Sequence, residues 1–128
     1  MNLENNEVNI SESKDEKIKN EDYEILNLYD LEKIDDTNYR LVIGNLSEKK
    51  LGNLVLKIAE INKYDEYINV SHVDYTSILE EKQQIELLLN ASRKENTLEV
   101  IGYTYDDIKN KENIDVDLKS HSSKIIKK

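Results

Sequence analysis

The chain has 128 residues, neither cysteine nor proline, and a formal net charge of −9. That length suits one ordinary domain, and the lack of cysteine excludes a disulfide frame, a thiolate nucleophile and a cysteine-ligated metal. No run reaches the roughly 18 apolar residues of a membrane span, and the polar start resembles neither a signal nor a transit peptide, so an intracellular protein, cytoplasmic or nuclear, with no membrane partner is expected.

The charge is unevenly placed. Residues 1–36 hold 12 acidic and 4 basic side chains, a net of −8, whereas residues 37–128 hold 15 and 14, a net of −1. Residues 1–22 carry only scattered Leu3, Val8, Ile10 and Ile18 and read as a disordered acidic arm. Residues 23–36 read as a variable extra element: Ile25, Leu28 and Tyr29 suit a helix, while Tyr23, Ile25 and Tyr29 suit a strand. The cluster Asp35-Asp36-Thr37-Asn38 is a turn, after which the domain begins.

Tyr39, Leu41 and Ile43 alternate with Arg40 and Val42, the period of a strand. Ser47 suits a helix N-cap, and Leu51, Leu54, Val55, Ile58 and Ile61 follow at helical spacings of three and four. Ile68, Val70 and His72 form a second strand, joined to the first by a right-handed crossover and therefore parallel to it. Ser77-Ile78-Leu79-Glu80 has the form of a capping box opening a second helix, with Ile78, Ile85, Leu88, Leu89 and Ser92 inward. Thr97–Tyr103 reads as a third strand, and Ile114, Val116 and Leu118 mark a fourth; residues 120–128 are a basic tail. The order βαβαββ over residues 37–119 predicts an α/β (α+β) two-layer sandwich, with a four-stranded mixed sheet and two helices on one face.

Enzymatic motifs are absent: there is no G-x-G-x-x-G, P-loop, H-E-x-x-H or G-x-S-x-G, and Gly44, Gly52 and Gly102 are the only glycines. His72 suits a strand residue better than a general base, and His121 lies in the tail. The expectation is a non-enzyme with no cofactor and no metal. Lys49, Lys50 and Asn53, at the opening of the first predicted helix, suit a phosphate-binding edge, because charge and helix dipole act together there. Ser-Glu-Lys-Lys is equally an ordinary solvated first turn.

The strand end Leu41-Val42-Ile43-Gly44, the Lys49-Lys50 turn, the run Gly52-Asn53-Leu54-Val55-Leu56, Asp65-Glu66-Tyr67-Ile68 and Ile101-Gly102-Tyr103-Thr104 together resemble the Alba family of nucleic-acid-binding proteins over residues 39–119. The resemblance implies a non-catalytic nucleic-acid-binding protein, for RNA in preference to DNA. It would act as a homodimer, with an Alba-like heterodimer partner, or as a ribonucleoprotein subunit of the RNase P/MRP type. Lys49, Lys50 and Asn53 would make the phosphate and sugar contacts. Val73-Asp74 stands where that family carries Gly-Arg, and Asp106, Asp107 and Glu112 populate its usually basic hairpin, which weakens phosphate attraction. The second reading is a protein-interaction module of the same fold without a nucleic-acid surface; a STAS-like regulatory domain is a third. Ile101, Tyr103 and Leu56, off the predicted core faces, are the expected contact surface for association.

Overall fold

The computed structural model describes residues 25–126, which form eight β-strands and no helix. These are β1 (Leu26–Lys33), β2 (Asn38–Asn45), β3 (Leu51–Ile61), β4 (Tyr67–Tyr75), β5 (Gln84–Asn90), β6 (Thr97–Asp107), β7 (Glu112–Asp117) and β8 (Ser122–Ile126). The expected α/β sandwich is therefore corrected to an all-β one, and the fold implied by the Alba resemblance is not the fold present. The arm predicted over residues 1–22 lies outside the described residues.

Both predicted helices are strands whose apolar spacing was altered. In β3 the register jumps between Gly52 and Val55, where Asn53 sits at φ 46°, and the extra residue of this bulge turns one spacing of two into three. Leu51 and Leu54 are thus both buried, followed by Leu56 and Ile58 in ordinary alternation. The second case is β5, where Ile85, Leu87 and Leu89 point inward and Gln84, Glu86, Leu88 and Asn90 outward. Leu88, 74% exposed, fills an outward position and hides the period of two inside a triple-leucine run. The supposed capping box is no cap: Leu79 makes an isolated antiparallel bridge with Leu51, and the Glu80 amide donates to Gln83 Oε1 at 2.7 Å.

The strands expected around 39–43, 67–72, 97–103 and 114–119 are present in β2, β4, β6 and β7, but none is parallel to a neighbour. Residues 25–36 contribute β1 and residues 120–126 contribute β8, so these parts of the expected extra element and tail belong to the sandwich, while residues 23–24 and 127–128 lie outside the described residues. One sheet runs β1-β2-β5 and the other β4-β3-β6-β7-β8, all antiparallel. Placing β1, β2 and β5 opposite β4, β3, β6 and β7 gives the Greek-key pattern of immunoglobulin-like sandwiches, with β4 where a variable-type domain carries its C′ strand.

A single core joins the two sheets. Tyr39, Leu41 and Ile43 of β2 and Leu89 of β5 meet Leu54, Leu56 and Ile58 of β3, Tyr103 and Tyr105 of β6, and Ile114 and Val116 of β7. Burying each large side chain contributes about 1.5–3 kcal/mol. The phenol of Tyr103 accepts from the Leu26 amide at 3.4 Å, placing β1 over β6, and the Tyr39 hydroxyl donates to the Asn96 carbonyl at 3.1 Å. Tyr103 and Leu56, expected at a contact surface, are fully buried, and Ile101 is half-buried. The larger sheet outreaches the smaller on both sides, and β4 is left projecting past β5 with seven of its nine residues exposed, Tyr67–His72 in an unbroken run. No helix among the described residues is long and apolar enough to cross a membrane, which leaves strand-built spans unaddressed.

Candidate interaction surface

The strand β4 follows from its sequence, Tyr-Ile-Asn-Val-Ser-His-Val-Asp-Tyr, in which β-branched and aromatic residues alternate with polar ones. Its start is fixed by a tight turn. The Asn62 amide donates to the Glu66 carbonyl at 2.9 Å, and Asn62 Oδ1 accepts from the amides of Tyr64 at 2.9 Å and Glu66 at 3.0 Å. Asp65, at φ 65°, closes the turn and leaves Tyr64 71% exposed.

β4 pairs with β3 along one side only, with Val70 opposite Ala59, His72 opposite Lys57 and Asp74 opposite Val55. Val73 and Tyr75 pack partly on the core. Ile68 and Val70 are 48% and 45% exposed. Tyr67 is held on the outer face: its hydroxyl donates to Glu99 at 2.7 Å, and Lys119 Nζ reaches that hydroxyl at 2.7 Å and the Glu99 carboxylate at 3.0 Å. The Tyr67 and Lys119 hydrogen bonds hold the Glu99 carboxyl below its usual range. No ion pair joins His72 or Asp74 to any described residue, whereas Lys57, across from His72, is engaged by Asp115 at 3.3 Å.

The other three sheet edges are guarded against pairing. β1 is broken by a bulge between Leu28 and Asp30, β8 has five residues and carries Lys124, and β5 presents Glu86 salt-bridged to Arg40 at 3.2 Å. β4 has nine residues with no lysine, arginine or proline, and its register slips only near Tyr67.

The residues expected to meet phosphate lie at the far end of the sandwich, in or beside the β2–β3 loop. Lys49 Nζ is 3.1 Å from Asp107 Oδ2, Lys50 Nζ is 3.8 Å from Glu80 Oε1, and Asn53 Nδ2 donates to Asp106 Oδ2 at 2.7 Å. The structure brings all three to one end but sets each against a carboxylate, not on a helix N-terminus. Burial would raise the Asp107 pKa, but hydrogen bonds from Asn110 and Lys49 outweigh it and hold the carboxyl below its usual range. Nearby, Asn45 organises the loop: its Nδ2 donates to the carbonyls of Lys49 at 2.7 Å and Glu80 at 3.0 Å, and its Oδ1 accepts from Ser47.

The sequence pattern predicts a strand here, parallel to the first, and does not mark it as a sheet edge. A signal was present, since interior parallel strands read as continuous apolar runs and this one alternates with Asn, Ser, His and Asp. Among the described residues no group of three or more His, Asp or Glu is placed to hold a metal.

No family model matches the chain, and no curated protein matches it. A solved structure of IrmA from Escherichia coli is similar over 73% of this chain and 84% of that one, at 14% identity and a TM-score of 0.49, a likeness too slight to bear on function.

Proposed function

We propose that this domain is a non-catalytic protein-interaction module that accepts an extended strand on the free edge of β4. The observation that carries the reading is the open edge itself: nine residues with exposed Ile68 and Val70 and no lysine, arginine or proline, where the other edges among the described residues carry a bulge, a lysine or a salt-bridged glutamate. Unpaired amides and carbonyls along such an edge supply main-chain hydrogen bonds to an added strand, and alternate side chains supply selectivity.

The test uses the tagged full chain as bait in its native extract. Wild type is compared with Val70→Lys, Ile68→Lys and, on the outer face of β5, Leu88→Lys. Partners, a second copy of the chain included, should be retained by wild type and Leu88→Lys and lost from both β4 variants, all four being folded by circular dichroism. Equal recovery by all four would sink the reading. The nucleic-acid reading remains the competitor, and on it phosphates must displace Asp107 and Glu80 from Lys49 and Lys50. RNA binding at low salt that disappears on Lys49→Ala with Lys50→Ala would restore it, with a salt slope lowered by about 1.4–1.8.

A further inference from the structure

We infer that the strand taken by β4 is β4 of a second copy, paired antiparallel about a two-fold axis at Val73. The inference rests on the reading of β4 as a docking edge and names its occupant.

An isologous pairing demands that the strand be complementary to itself. In the antiparallel register centred on Val73, residue numbers of opposed pairs sum to 146, so His72 of each copy faces Asp74 of the other, twice. Both side chains lie on the outer face, in register with Lys57 and Val55 of β3, and among the described residues neither has an ionic partner. The same register sets Val73 against Val73 at the axis and Ser71 against Tyr75, on the face that projects past β5 and is incompletely covered. The pairing thus gives His72 and Asp74 partners that the described residues do not supply and covers half-buried Val73 and Tyr75.

Net charge supplies no attraction: residues 25–126 carry 19 acidic and 13 basic side chains, a net of −6, so the pairing rests on the local complementarity of the strand. β4 itself holds a single acid, Asp74, and in this register it never meets its own copy. The ten strands of the two larger sheets then form one continuous sheet, joined through residues 71–75 of each β4, while residues 67–70 face residues 76–79 of the other copy.

Three measurements on the full chain test this. Sedimentation equilibrium should show a reversible dimer at micromolar concentration. His72→Asp places two acid pairs across the axis and should weaken the dimer at least about tenfold. His72→Asp combined with Asp74→His restores two complementary pairs and should recover the wild-type constant to within about threefold. The chain has no cysteine, so Val73→Cys gives one thiol per copy. Directly opposed β-carbons lie about 4.5–5.5 Å apart, near disulfide reach, and mild oxidation should link the copies. Val70→Cys, which faces Thr76 of the other copy, should not link.

A strict monomer, or a dimer indifferent to the charge reversal, overturns the inference. So does a dimer that the double exchange fails to rescue or that Val70→Cys links as readily as Val73→Cys. Loss of a different protein from the bait on Val70→Lys, with the bait monomeric, would overturn this inference alone and leave the docking edge standing.

Discussion

Glu60 ties β3 to the loop that leads into β6. Its Oε2 accepts from the Ser92 amide at 2.9 Å, the Ser92 hydroxyl at 2.6 Å and the Asn96 side chain at 2.7 Å, in a site where the residue is 6% exposed. Burial alone would raise its pKa, but these donors outweigh burial and hold the carboxyl below its usual value. A depressed carboxylate adds stability above its ordinary pKa and loses it as pH falls through the folded value. Urea midpoints should therefore fall below about pH 4.3, and Glu60→Gln should flatten part of that fall. Glu60→Ala, which orphans buried donors, should cost about 2–3 kcal/mol at neutral pH. An unchanged midpoint would mean that water replaces the carboxylate. Two glycines make a second contrast. A Cβ on Gly102 would stand 2.6 Å from the Val116 carbonyl oxygen, a backbone atom that cannot swing away, whereas on Gly44 it would meet the exposed Tyr29 ring at 2.7 Å. Gly102→Ala should cost about 1–3 kcal/mol by thermal melting and Gly44→Ala clearly less.

The elements show which local signals survive translation into structure. Strands with undisturbed alternation, Tyr39–Ile43 and Ile114–Val116, were legible because one face is buried and the next residue is not. β3 and β5 were misread for opposite reasons, an inserted residue at Asn53 and an apolar residue, Leu88, on a solvent face. Each defect converts a period of two into something near 3.6 over a short window, which propensity cannot correct. Because the left-handed conformation at Asn53 favours glycine, Asn53→Gly should be tolerated to within about 0.5 kcal/mol, while Asn53→Val should cost about 1–2 kcal/mol. Equal melting temperatures for the two would show that the bulge relaxes. Lys49, Lys50 and Asn53 lie together at the end of the sandwich away from the β4 edge, and their carboxylate partners come from residues 80, 106 and 107, which no local pattern could supply. The β4 edge was hidden for a different reason: edge position is a property of the sheet order, not of the strand.

At the scale of the whole molecule, the β2–β5 ladder pairs Asn38 with Asn90 and Gly44 with Gln84, closing a long loop across the chain. Loop-closure entropy must be met before that ladder returns any hydrogen bonds, whereas the β6–β7 and β7–β8 hairpins close almost at once. The order of assembly follows: the hairpins of the larger sheet come early, and β5 docks late. Stopped-flow refolding should run on the millisecond-to-second scale of Greek-key sandwiches. Leu89→Ala on β5 should mainly speed unfolding, and Val116→Ala on β7 should also slow folding. Until β5 arrives, β2 offers a second open edge beside that of β4, so a newly made chain is at greatest risk of adhering to its neighbours during this interval. Expression at lower temperature should raise the soluble yield of Leu89→Ala more than that of Val116→Ala.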